Sequence, residues 1–298
     1  MDSRQVVLIT GSSAGFGKLI AETLARHGYI VFATMREPTA RNHKSASEIR
    51  ALAERESLPL YVLELDVTDD ASIERAVRTV VQQTGQIDVA INNAGYAILG
   101  LAEAVTTEQA RRIMDTNFFG AVRVNRAVLP HMRRQRSGLL LHISSGAGRL
   151  AIPSMAFYCA SKFALEALAE TYHYELAGQG IDSVIVQPGA YQTSGLSNIV
   201  MAVDHERSAT YGSVNQIASK LNAALSAAAG DAQELADAVL RILETPAGQR
   251  QLRYRVSRST LGVDEINALC EQVQARLLET FGLTADTKFV QRKTAGAS

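Results

Sequence analysis

Tyr158 and Lys162 stand four residues apart at the start of an amphipathic stretch, 156–178. A helix there sets both side chains on one face. A free phenol has a pKa of about 10, too high for an acid–base group at neutral pH. An ammonium a few ångströms away favours the phenolate and is expected to lower that value. Upstream, an apolar run ends in His142-Ile143-Ser144-Ser145-Gly146, with Ser145 13 residues before Tyr158. Hydroxyls at the C-terminal end of a strand lie where α/β sheets bind ligands, so Ser145 is placed to hydrogen-bond a carbonyl oxygen. Ser144 reads as a cap or turn former. A tyrosine, a lysine and a serine so arranged could exchange a proton with a carbonyl or alcohol oxygen.

A second constellation precedes it. Thr10-Gly11-Ser12-Ser13-Ala14-Gly15-Phe16-Gly17 joins the first apolar run to the first helical pattern. Glycines in such a turn let the backbone approach a pyrophosphate, and a helix N-terminus offers N–H groups and a positive dipole end. The same residues also read as a tight turn without a ligand, or as a G-x-S-x-G nucleophile elbow with Ser13 as a hydrolase nucleophile. Against the elbow, no segment precedes the strand to supply an oxyanion loop, and no nearby histidine recommends itself as the base. In dinucleotide folds a carboxylate at the tip of the second strand binds the ribose 2′-hydroxyl, whereas an arginine accommodates a 2′-phosphate. Here that strand ends Ala33-Thr34-Met35-Arg36. Arg36, helped by Ser13, therefore favours NADP(H) over NAD(H), the other reading being a solvated loop charge. Asp66, before Val67 at the end of the third run, either accepts from an adenine amino group or caps the helix beginning near residue 69.

The elements that must hold these residues follow from alternation. Apolar runs at 6–10, 30–34, 60–65, 87–91, 139–143, 181–187 and, less clearly, 251–256 are separated by helical patterns near 15–27, 45–57, 70–84, 107–134, 156–178 and 231–244. Runs apolar on both faces predict parallel strands covered on each side, so the fold class is α/β, a doubly wound parallel sheet of about seven strands with helices on both faces. Residues 194–230 interrupt the alternation and read as an insertion at the substrate loop, with an alanine-rich helix near 222–230. Residues 257–298 form a tail whose 263–280 stretch is helical, and the whole 1–298 chain reads as one domain.

Composition narrows the function. Thirty Lys and Arg balance 30 Asp and Glu, which disfavours nucleic acid as a partner. With 47% hydrophobic and 20% charged residues the chain is globular. Cys159 and Cys270 have no ligand-like spacing and the six histidines form no cluster, so neither a disulfide scaffold nor a catalytic metal is expected. No run approaches a membrane span, and the expected location is soluble and cytoplasmic.

Taken in order, Thr10-Gly11-x-x-x-Gly15-x-Gly17, Asn92-Asn93-Ala94-Gly95, Asn117, Ser145, Tyr158-x-x-x-Lys162 and Pro188-Gly189-x-x-x-Thr193 resemble the short-chain dehydrogenase/reductase family, over roughly residues 5–193 and more loosely 231–256. The second strand looks like that of its hydroxysteroid- and retinol-dehydrogenase-like branch. The resemblance implies a Rossmann-type fold and an oxidoreductase in which Tyr158 is the acid–base residue and Ser145 polarises the carbonyl. Lys162 would hold the nicotinamide ribose, and Asn117 would anchor a water of the proton relay. Gly11, Ser13, Gly15, Phe16, Gly17, Arg36, Asp66 and Val67 would hold the adenosine and phosphates. Asn93, Ala94 and Gly95 would close the adenosine side, and Pro188, Gly189 and Thr193 would bracket the nicotinamide. His142 departs from the asparagine common before the two serines. A non-catalytic NADP(H) sensor or scaffold on the same fold remains the rival reading. The expected substrate is a small apolar carbonyl or alcohol, and family members commonly pair as homodimers or homotetramers through the helices read here at 107–134 and 156–178.

Overall fold

The computed structural model describes residues 4–192, 199–227, 230–257 and 262–290. In chain order the elements are β1 (Val6–Ile9), α1 (Gly15–Arg26), β2 (Ile30–Met35), α2 (His43–Glu56), β3 (Leu60–Glu64), α3 (Asp70–Thr84), β4 (Val89–Asn92), β5 (Ala97–Leu99), α4 (Thr107–Met114) and α5 (Gly120–Gln135). They continue with β6 (Gly138–Ile143), α6 (Ala156–Ala177), β7 (Ile181–Pro188), β8 (Tyr191–Gln192), β9 (Ile199–Met201), α7 (His205–Ala209), α8 (Ile217–Ala227), β10 (Gly230–Asp231), α9 (Gln233–Glu244), β11 (Arg253–Val256) and α10 (Val263–Thr280).

Seven strands form one sheet in the order β11-β7-β6-β4-β1-β2-β3, and every pairing is parallel. Because side chains alternate across a strand, each central strand feeds two cores. Val7 and Ile9 of β1 pack with Ile20 and Leu24 of α1, Ile49 of α2 and Val239 of α9. Val6 and Leu8 pack on the other side with Val77 of α3 and Val124 and Val128 of α5. That double burial is why these strands read as continuous apolar runs, and it makes this the expected doubly wound α/β sheet of the Rossmann type.

Three details differ from the sequence reading. The single helix expected over 107–134 is α4 and α5 joined by a π-helical segment, Asp115–Phe119. One extra residue per turn does not disturb the apolar periodicity enough to be legible. The cap of α3 is Asp69, whose side chain accepts from the Ala71 amide, and not Asp66. Asp66 instead closes a local turn, accepting from the backbone and hydroxyl of Thr68 at 2.9 and 2.8 Å. Finally, two small parallel pairings outside the main sheet, β5 with β9 and β8 with β10, fasten the ends of the 194–230 region to segments that follow β4 and β7.

Candidate active site

The C-terminal ends of β1 and β4 are stitched together beneath the glycine turn. The Thr10 hydroxyl accepts from the backbone amides of Asn93 and Ala94, each at 3.0 Å. The Asn93 side-chain amide donates to the carbonyls of Thr10 and Gly11 at 2.9 and 3.0 Å. Gly11 takes φ +70° and a Cβ there would sit 2.8 Å from the Ala94 Cα. A Cβ on Gly17 would land on the Gly11 carbonyl oxygen and the Asn93 amide. Gly17 is therefore needed so that α1 can approach the turn, while Gly15, at φ +58°, turns the chain into the helix. Helix α1 starts after Ala14 with no side-chain cap and no acidic residue in its first turn, which suits an anion. A dinucleotide phosphate fits that helix end. Ser13 is partly exposed beside it, and among the described residues no hydrogen bond links it to a histidine.

Further along the same edge, Arg36 is exposed just beyond β2 and forms no ion pair among the described residues. Val67 is buried against Gly120, where a Cβ would come within 2.8 Å of it. Phe16 stacks edge-on to Tyr191, ring centroids 5.6 Å apart. Pro188 closes β7, and the Gly189 amide donates to the Val256 carbonyl at 2.9 Å. Thr193 lies outside the described residues.

Asn117 sits in the π-helical segment, 2% exposed. Its Oδ1 accepts from the Tyr96 amide at 3.0 Å, and its Nδ2 donates to the Tyr96 carbonyl at 2.9 Å and the Ser161 hydroxyl at 3.0 Å. Gly95 makes room for this latch, since a Cβ there would come 3.0 Å from Oδ1. A π-bulge commonly marks a functional site, and here it turns Asn117 inward between β4 and α6. Thr10, Asn92, Ala94, Thr116, Asn117 and Lys162 line a cavity of about 10 Å³, the volume of one water.

Tyr158 and Lys162 occupy successive turns of α6. Ser145 follows β6 in extended backbone and accepts from the Ala147 amide at 3.1 Å, capping the turn Gly146–Gly148. The Lys162 Nζ donates to the Ile143 carbonyl at 2.8 Å and lies 5.8 Å from the centre of the Tyr158 ring. Burial lowers the Lys162 pKa to about 8, opposed by the nearby Glu166 carboxylate. The Tyr158 pKa is raised, not lowered as expected: burial outweighs a hydrogen bond with Ser145, which acts in the other direction. The physical reason is that the ammonium spends its hydrogen bond on a backbone carbonyl, while apolar side chains surround the phenol. Tyr158 is partly buried and packs against two apolar clusters, one that includes Ile98, Leu101 and Ile113 and one that includes Leu99, Met155 and Cys159.

His142 is fully buried, and burial assisted by Lys162 pushes its pKa down to about 3. It is a neutral core residue near the Asn92 amide. Ser144 is also buried, but its hydroxyl has no partner among the described residues, so it forms no side-chain turn. Glu166, Gln187, Arg253 and Asn267 form a buried polar chain behind Lys162 that the sequence reading missed. The available signal was the four-residue spacing Tyr158, Lys162, Glu166, Glu170 on one helix face. Among the described residues no group of His, Cys, Asp or Glu could hold a metal, and no helix is long and apolar enough to cross a membrane.

Residues 5–203 match the family described as short chain dehydrogenase. The chain is 40% identical to 3-ketodihydrosphingosine reductase of Bacteroides thetaiotaomicron, over 65% of this chain and 66% of that one. It is 36% identical to retinol dehydrogenase 8 of Bos taurus, over 64% of this chain and 61% of that one. The chain thus spans less than two thirds of these relatives' lengths. The crystal structure of a short-chain dehydrogenase from Streptomyces avermitilis superposes with a TM-score of 0.76 at 30% identity, covering 97% of this chain and all of that one. With the parallel sheet and the glycine turn, these likenesses show that the chain belongs to the short-chain dehydrogenase/reductase family.

Proposed function

We propose that the protein is an NADP(H)-preferring oxidoreductase that interconverts an apolar carbonyl compound and its alcohol, with Tyr158 as the acid–base residue. The observation that carries this reading is the convergence of Tyr158, Ser145 and Lys162 at the C-terminal end of β6, one α6 turn apart and hydrogen-bonded as described. When bound, the nicotinamide supplies the hydride in reduction and accepts it in oxidation. In reduction Tyr158 gives its phenolic proton to the substrate oxygen, and Ser145 donates a hydrogen bond to that oxygen as negative charge develops. In oxidation Tyr158 takes the proton back. Lys162 would hold the ribose hydroxyls of a bound cofactor and compensate charge on Tyr158, and Asn117 keeps the Tyr96 backbone and the Ser161 hydroxyl fixed nearby.

Arg36 beyond β2, with no carboxylate at the strand tip, supports a 2′-phosphate partner. Asp66 remains available on its other carboxylate oxygen for the adenine, and the Val67, Asn93, Ala94 and Gly95 backbone would line the adenosine side. The apolar packing around Tyr158 supports an apolar substrate, in keeping with the substrates named for two relatives, 3-ketodihydrosphingosine and retinol. Two unpaired cysteines are in keeping with a reducing, cytoplasmic location. Phe119 and Phe163, 46% and 44% exposed, support pairing of two copies across the α5 and α6 side.

The test is Tyr158→Phe across a panel of aldehydes, ketones, quinones and steroids with NADPH and NADH. Turnover should fall about 100-fold to 10,000-fold with cofactor binding retained. Comparable turnover in the variant overturns the assignment. Tight cofactor binding by the parent protein with no turnover on any substrate would favour the sensor reading instead.

A further inference from the structure

Beyond Tyr158 and Lys162, α6 continues the same inward face with Glu166, which is 2% exposed. A buried carboxylate is costly unless it is paired and hydrogen-bonded, and both of its oxygens are used. Oε1 accepts from the Gln187 Nε2 at 2.9 Å, and Oε2 from the Arg253 Nε at 2.9 Å. Arg253 also pairs with Glu170 at 2.5 Å. Gln187 stands next to Pro188 at the end of β7, and its Oε1 accepts from the Asn267 Nδ2 at 2.8 Å. Asn267, 8% exposed on α10, accepts in turn from the Arg149 Nε at 2.9 Å. Glu166 also lies under the turn that follows Ser145, since a Cβ on Gly148 would meet both the Glu166 Cγ and the Ser144 Oγ at 2.8 Å. One carboxylate thus touches β7, β11 and the Ser145 turn, and is joined to α10 through Gln187.

We propose that Glu166 is a positioning residue for Lys162, and that α10, through Asn267 and Gln187, holds the end of β7 beside the same site. The proposal rests on the roles assigned to Tyr158 and Lys162 above. Apolar side chains could fill this space without loss of stability, because buried ion pairs are seldom net stabilising. The network is better explained by what it sets: a negative charge one helix turn behind a buried ammonium. The charged and titratable groups facing Lys162 are Tyr158 before it, His142 from β6 and Glu166 after it, with Arg253 and Glu170 behind Glu166. Of these, Glu166 favours the ammonium.

The experiment is an NMR titration of the lysine side chains in the cofactor-free protein. The chain has six lysines, and Lys162→Met assigns the resonance. Glu166→Gln should lower the Lys162 pKa by about half a unit or more, and Glu166→Asp, which keeps the charge, should leave it near the parent value. An unchanged value in Glu166→Gln overturns the positioning role. Asn267→Leu removes the α10 link without changing any charge. It should leave the Lys162 pKa in place while raising the NADPH dissociation constant about fivefold, the worth of one buried hydrogen bond. An unchanged constant overturns the role of α10. If Glu166→Gln does not fold, Glu166→Leu, which fills the space without a charge, takes its place in the titration with the same expected fall, and an unchanged value there overturns the positioning role. Because the titration is read without cofactor or substrate, its outcome is separate from that of Tyr158→Phe.

Discussion

Asn117→Ala isolates the contribution of the π-helical segment. The substitution deletes three hydrogen bonds of 2.9–3.0 Å at a residue 2% exposed. At about 1 kcal/mol net for each, the loss is about 3 kcal/mol, and the stranded Tyr96 amide and carbonyl can add 1 kcal/mol or so more. That is a large part of the roughly 5–15 kcal/mol that holds a domain together. Asn117→Asp is nearly isosteric but turns the donor facing the Tyr96 carbonyl into an acceptor. It should therefore be no milder than Ala despite its closer shape. The assay is urea unfolding followed by circular dichroism, with NADPH fluorescence as a measure of the intact site. Both variants should shift the midpoint down strongly and weaken cofactor binding, since Tyr96 follows Gly95, which closes the adenosine side in the function proposed above. A loss below about 1 kcal/mol for Ala, or a clearly milder effect for Asp, would refute the latch: the three contacts would then be no stronger than an exposed pair.

Arg36→Ala should weaken NADPH by about 10-fold to 100-fold, the worth of a charge-assisted hydrogen bond or two, and leave NADH nearly unchanged; equal losses would show that Arg36 is not the phosphate partner. His142 is held neutral with its pKa near 3 against 6.5 when unfolded. The unfolded chain therefore binds the extra proton between those values, and stability is lost as pH falls below about 6.5. Between pH 6.5 and 5 this amounts to about 2 kcal/mol. His142→Asn should remove that part of the acid sensitivity in urea midpoints measured across the range, and an unchanged slope would place its origin elsewhere.

Much of the framework was legible along the chain. The apolar runs around Val7, Val31, Leu139 and Val184 read as strands because burial on both faces demands apolar residues at consecutive positions. The order of glycine turn, Asn117, Ser145, Tyr158 and Lys162 carried the family. Local spacing also placed Tyr158 and Lys162 on one helix face, though Glu166, four residues further on, went unread. What spacing could not carry was any quantity that depends on who surrounds whom. Asp66 read as the cap of the helix beginning near residue 69, and only the path of the chain into α3 gave that place to Asp69.

The sequence by itself determined the sheet, the chemistry of the side chains at its C-terminal edge and their order, because period and residue type act locally. The tertiary structure decided the rest. It inserted the π-turn that points Asn117 at Tyr96, and it brought Arg253 to Glu166 across 87 residues. It also set the direction of the Tyr158 shift, because desolvation is a sum over every neighbour packed around the phenol and is written at no single position in the chain.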